Sequence, residues 1–178
     1  MKFSLLPIAL CSLLVSGIVS AQQPAGSPDN QKNSSGPGCP MHDAHAHNNE
    51  RAEKGMGFSQ AATTHHFFLK PSGGVIQVEA NDLKDSAARD TVRSHLIHIA
   101  LSFSNGDFDI PMFVHDAVPP GVPAMKRLRE KIAYSFEETA NGGRVVIMAS
   151  DPECLAAIHK FLRFQIAEHH TMDPADVR

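Results

Sequence analysis

The sequence has no tryptophan and only one tyrosine, and its ten phenylalanines bring the aromatic share to just 6%. Aromatic platforms for nucleic-acid bases are therefore scarce. With Asp and Glu at 19 against Lys and Arg at 16, there is also no basic field to hold phosphates or an anionic membrane surface. No phosphate-cradling glycine loop and no Cys-x-x-Cys-His run for covalent haem is present, and no spacing supports a Ser/His/Asp set. The longest apolar run, Leu5 to Val19, falls short of a comfortable membrane span, and nothing later exceeds it.

That first run, with Lys2 before it and Ser20 and Ala21 behind it, has the form of a secretory signal peptide cleaved after Ala21. The expectation is a periplasmic or secreted protein without a transmembrane segment. Cys11 lies inside the run behind Leu10, where lipid attachment would need a small residue. Removing residues 1–21 from 178 leaves 157 and takes away only Lys2, so the formal charge of −3 becomes −4. Of three cysteines, Cys39 and Cys154 then remain. In an oxidising compartment they suit a disulfide, a ligand set or contacts between chains, and the count does not choose among these. Histidine is the abundant chemical residue, with 11 copies, all beyond residue 21.

Residues 22–57 are rich in Gln, Pro, Gly, Ser and Asn and offer almost nothing to bury, which predicts a flexible tether. Within it, GCPMHDAHAHNN carries Cys39, Met41, His42, His45 and His47. Soft sulfur and imidazole donors together suit copper or zinc. The four residues CPMH resemble the opening of the small heavy-metal-binding domain of copper efflux proteins. The Cys-Pro-x-Cys-Gly-Met half of that domain is absent, so the resemblance stops at those four. A low-complexity linker that happens to hold histidines is the plain alternative.

The folded part is predicted over 58–172, with a tail at 173–178. TTHHFFLK at 63–70, then Gly73 and Gly74, then VIQVEA read as a β-hairpin with a loop of about four residues. Alternation puts His65 with the core face and His66 with the outer face. Asp82 to Ser86 opens a helix that ends at Asn105 and Gly106, with Val92, Leu96, Ile99 and Phe103 as its apolar stripe. Phe136, Gly142, Gly143 and Asp151 repeat Phe67, Gly73, Gly74 and Asp82 at an offset of 69, and a second helix follows Asp151 and Pro152. The expected fold class is α+β: two ββα units forming one four-stranded antiparallel sheet with both helices on one face. The connection between the units, with Pro119, Pro120, Gly121 and Pro123, is predicted to be irregular apart from a short helix opened by Pro123. Taken together, TTHHF, HLIHI, NGDF and VHDAVPPG are similar to a group of uncharacterised small exported bacterial proteins, over residues 58–172. That resemblance implies no activity.

The best candidate constellation is His65, His95, His98 and His115, from a strand, the first long helix and the connection. If the helix packs its stripe on the sheet, His95 and His98 approach the inward His65, and two to four imidazoles suit copper or zinc. Packing of His95 at the core edge, with His98 in solvent, is the bland reading. Phe67, Phe103 and Phe113 would also wall a non-covalent haem pocket. Cys154 lies in a helix's first turn, where partial positive charge lowers a thiol pKa. His169 and His170 in the last turn favour the helix dipole.

The functional expectation is therefore an exported transition-metal-binding protein, copper first and zinc second, for capture, delivery or resistance. Its metal ligands would be His65, His95, His98 and His115 in the fold and Cys39, Met41, His42, His45 and His47 on the tether. The alternatives are an interaction or dimerisation module using Phe161 and Phe164 off the second helix's stripe, and a metal-dependent enzyme with an open coordination position. Aligning Leu96 with Leu162 sets Phe161 opposite His95 and Phe164 opposite His98, so a folded site is expected on the first unit only.

Overall fold

A computed structural model describes residue 51 and residues 53–178. The signal-like segment and the tether residues Cys39 to His47 lie outside the described residues, and so does any pairing of Cys39 with Cys154.

Four strands of eight residues each form one antiparallel sheet: β1 (Thr63–Lys70), β2 (Gly73–Ala80), β3 (Ile132–Thr139) and β4 (Gly142–Ala149), in the order β1-β2-β4-β3. From the sheet onward the α-helices are α1 (Ser86–Ser104), α2 (Asp109–His115), α3 (Val122–Arg127) and α4 (Pro152–His169), and residues 53–56 before it are also helical. The fold is the expected α+β arrangement. Strands β3 and β4 stand 69 residues after β1 and β2, and Ile76 pairs with Val145, its own counterpart, so a local twofold axis runs through that pair. The ends of the central ladder obey the same symmetry. Ala80 N donates to Asn141 O and Ala149 N to Ser72 O, each at 2.9 Å.

The hairpin loops are shorter than expected. Lys70 pairs with Gly73 and Thr139 with Gly142, leaving two-residue turns, Pro71-Ser72 and Ala140-Asn141. The Gly-Gly pairs are thus not turn residues but the first residues of the two central strands. Their reason is close approach. A β-carbon on Gly73 would overlap Ile147 O, and one on its counterpart Gly142 would overlap Val78 O.

Both long helices cover the same sheet face, but each lies mainly over the other unit's hairpin. Helix α1 packs on β4 and β3, and α4 packs on β1 and β2. The stripe Val92, Leu96, Ile99 and Phe103 is buried, as the spacing predicts. Asp85 caps α1 by accepting from Ala88 N, and Asp151 caps α4 by accepting from Glu153 N. Neither unit can bury its own helix without the other, so the core is continuous across both.

The connection is more regular than its prolines suggest. Besides the expected α3, it contains α2, in which Pro111 falls in the first turn, where its missing N–H costs no hydrogen bond. The packed unit also runs past both expected boundaries. Met56 is buried before β1. After α4, Asp173 accepts from Phe67 N at 2.9 Å, and Arg178 N donates to Leu69 O at 3.2 Å, so the tail covers the edge of β1. No helix among the described residues is long and apolar enough to cross a membrane.

Candidate functional site: a histidine-lined cavity

The inward face of β1, the flanks of α1 and α2 and the last turn of α4 meet over the first hairpin. Between them lies a cavity of about 60 Å³, lined by His65, His95, His115 and His169 together with Gln165 and Met56. The rest of its wall is apolar, including Phe67, Phe103 and Phe161. A space of that size holds a few waters or an ion, not a macrocycle.

Alternation along β1 turns His65 inward, as expected, and its ring stacks on His169 with centroids 5.2 Å apart. His169 in turn meets His115 edge-on, also at 5.2 Å. Phe58 links the opposite side, lying 6.1 Å from His65 and 5.4 Å from His95. The four rings differ in what already occupies their nitrogens. His115 Nε2 donates to Gln165 Oε1 at 3.1 Å, and its Nδ1 faces Glu168 Oε2 at 3.8 Å. His115 is therefore held from its Nε2 side. His65 Nε2 is buried without a hydrogen-bond partner, as is the amide nitrogen of Gln165, a residue only 4% exposed. Burial of an unpaired polar group is costly, and both residues line the cavity.

Electrostatics keep the rings uncharged. Burial, followed by the charge of neighbouring histidines, lowers His65 and His95 to about 4 and His169 to about 3. His115 is lowered too, by burial, with Gln165 and Glu168 pulling the other way. At neutral pH the cavity presents neutral imidazoles with lone pairs available as donors.

Of the sequence-predicted ligands, His65, His95 and His115 come to the cavity. His98 is exposed on α1 and does not line it. His169 joins them instead. Sequence reasoning placed it in the last turn for the helix dipole, but it continues the buried stripe of Ile158, Phe161 and Gln165 by one more turn, and extending that stripe would have found it. The site is not confined to the first unit, because α4 supplies His169, Gln165 and Phe161. Phe161 and His95, equivalent positions on the two helices, line the same cavity. Since Phe161 is 1% exposed and Phe164 packs edge-on to His115 at 5.1 Å, those aromatics do not form an outward docking face.

Cys154 has no disulfide partner among the described residues and is fully buried, and burial raises its thiol pKa against the lowering expected at a helix N-terminus. His159 behaves as a packed histidine: its Nε2 faces the carbonyls of Lys70 at 2.9 Å and Gly73 at 3.0 Å. Among the described residues, no group of three or more His, Cys, Asp or Glu side chains is arranged to hold a metal ion as it stands. No protein-family model, curated protein or solved structure matches the chain. The cavity is thus the chemical feature on which function can be argued.

Proposed function

We propose that the chain is an exported transition-metal-binding protein, copper first and zinc second, serving metal capture, delivery or resistance. The observation that carries this reading is His65 Nε2, buried without a partner beside the neutral ring of His169 in a cavity that His95 also lines. With its proton on Nδ1, an uncharged His65 presents at Nε2 a lone pair satisfied by no protein group, which is a ligand position for a Lewis acid. His115 then acts from behind. Anchored by Gln165, it packs edge-on against His169 and limits how that ring can turn. The tether donors Cys39, Met41, His42, His45 and His47 would capture metal outside the fold.

The test replaces His65 and His169 together by Ala in a chain whose five tether donors are also removed. The parent of that pair should bind one equivalent of copper in a competition titration, and the double variant should bind none. His98→Ala should leave the stoichiometry unchanged. Equal binding by parent and double variant would remove the cavity from the proposal.

A second reading, partner binding without metal, is favoured by the outer sheet face. There Val75 pairs directly with Val146, near Phe68 and an exposed Met148. A protein that stays monomeric in sedimentation at high concentration and recovers no specific partner would count against it.

A further inference from the structure

The donors around the cavity share three properties. They are neutral, they are soft or borderline, and they are few. Three imidazoles, those of His65, His95 and His169, line the wall, His65 with a buried ring nitrogen that has no partner, and Met56, 8% exposed, adds a thioether. Among the described residues, no carboxylate and no thiol lines the cavity. Glu168 addresses only the Nδ1 side of His115, and at 41% side-chain exposure it sits at the surface rather than in the site.

Charge is the first discriminator. The cost of moving an ion from water into an apolar environment grows with the square of its charge, so a divalent ion costs about four times a monovalent one of similar size. A site meant for Zn(II) commonly recovers that cost with thiolates or carboxylates, and this wall has neither. Softness is the second: thioether and imidazole together favour Cu(I) over zinc. Coordination number is the third. Zinc asks for four ligands, three of them from protein even in open sites. No such triad of His, Cys, Asp or Glu stands ready among the described residues. A monovalent d10 ion is satisfied by two or three donors.

We infer that the cavity selects by charge and softness together, taking a monovalent soft cation, Cu(I), on His65, His169 and the thioether of Met56, and rejecting Zn(II). This rests on the metal-binding reading above and narrows it. Met56 is the residue it adds: its sulfur is a soft donor, whereas its position before β1 reads as the end of a linker. In the fold it is buried and lines the same cavity as His65.

Ag(I) and Zn(II) are both closed-shell d10 ions, so comparing them holds electron configuration fixed and varies charge together with softness. The full chain carrying Cys39→Ser, Met41→Leu, His42→Ala, His45→Ala and His47→Ala is dialysed against each ion, and bound metal per chain is measured. One Ag(I) and no Zn(II) is expected, with Met56→Ile weakening Ag(I) at least tenfold. Zn(II) bound as tightly as Ag(I) would overturn the selectivity and leave the metal reading standing. Undiminished Ag(I) binding by folded Met56→Ile would overturn the role of its sulfur. Binding of neither ion defeats the metal reading itself, and the inference with it. The comparison of the two ions needs no cavity variant, so it holds even if Met56→Ile folds poorly.

Discussion

Lowering the pH from 7 to 4 is expected to unfold this protein, or to open it at the cavity, well before its carboxylates are neutralised. The sign follows from the histidines. In the unfolded chain each takes up a proton near 6.5, while in the fold His65 and His95 resist until about 4 and His169 until about 3. Between those limits the unfolded state binds more protons, so stability falls as pH falls. Each such group contributes up to roughly 1.4 kcal/mol per pH unit, on the order of 3 kcal/mol over the window for His65 alone. Two or three together rival the whole stability of a domain, about 5–15 kcal/mol. Urea unfolding midpoints should be flat above pH 7 and drop steeply below 6. His169→Phe, which keeps a ring against Phe67 and removes the proton site, should flatten the slope. A midpoint that stays constant to pH 4.5 would mean the rings are not buried as described.

The second large effect is expected at the central strands. Gly73→Ala and Gly142→Ala should each abolish folding or cost more than about 4 kcal/mol, at the far end of what single substitutions do. A β-carbon at either place meets a backbone carbonyl of the neighbouring central strand, Ile147 O in one case and Val78 O in the other. Backbone in the middle of a sheet cannot step aside as a side chain would. Gly73 also has a φ of 141°, which L side chains rarely adopt. By contrast, a β-carbon at Gly57 meets nothing within 4 Å, and the strain there comes only from its φ of 78°. Gly57→Ala should therefore cost much less. Comparable thermal shifts at all three positions would contradict the close approach of β2 and β4.

Much of the fold was legible because its signals are local. Alternation in TTHHFFLK, the caps Asp85 and Asp151 and the stripe from Val92 to Phe103 each report on a few neighbouring residues. The offset of 69 carried the one long-range fact, since a repeated ββα unit has few ways to bury its helix. What the offset does not contain is which hairpin each helix covers. The crossing of α1 to β3 and β4, and of α4 to β1 and β2, is decided by packing across the whole sheet. That crossing is also why the site was only partly legible. His65 could be placed on an inward face, and His95 beside the buried stripe, by period alone. His169 arrives because α4 lies over β1, and His98 drops out because helical geometry turns it to solvent once the stripe is buried. The glycine pairs misled for a related reason: Gly-Gly is a common turn signal, and only the strand register shows that close approach, not turning, requires it.

The most direct measurement of the central claim is the state of the cavity's ring nitrogens. Long-range proton–nitrogen correlation spectra of the imidazoles, recorded at pH 7 on the tether-substituted chain, report each nitrogen as protonated, bare or metal-bound. Without metal, His65, His95 and His169 are expected to be neutral. With one equivalent of Ag(I), a nitrogen of His65 and one of His169 should move to the metal-bound position while His98 stays unchanged. Ring nitrogens of His65 and His169 that do not respond, or a cationic ring in the cavity at pH 7, would contradict the account.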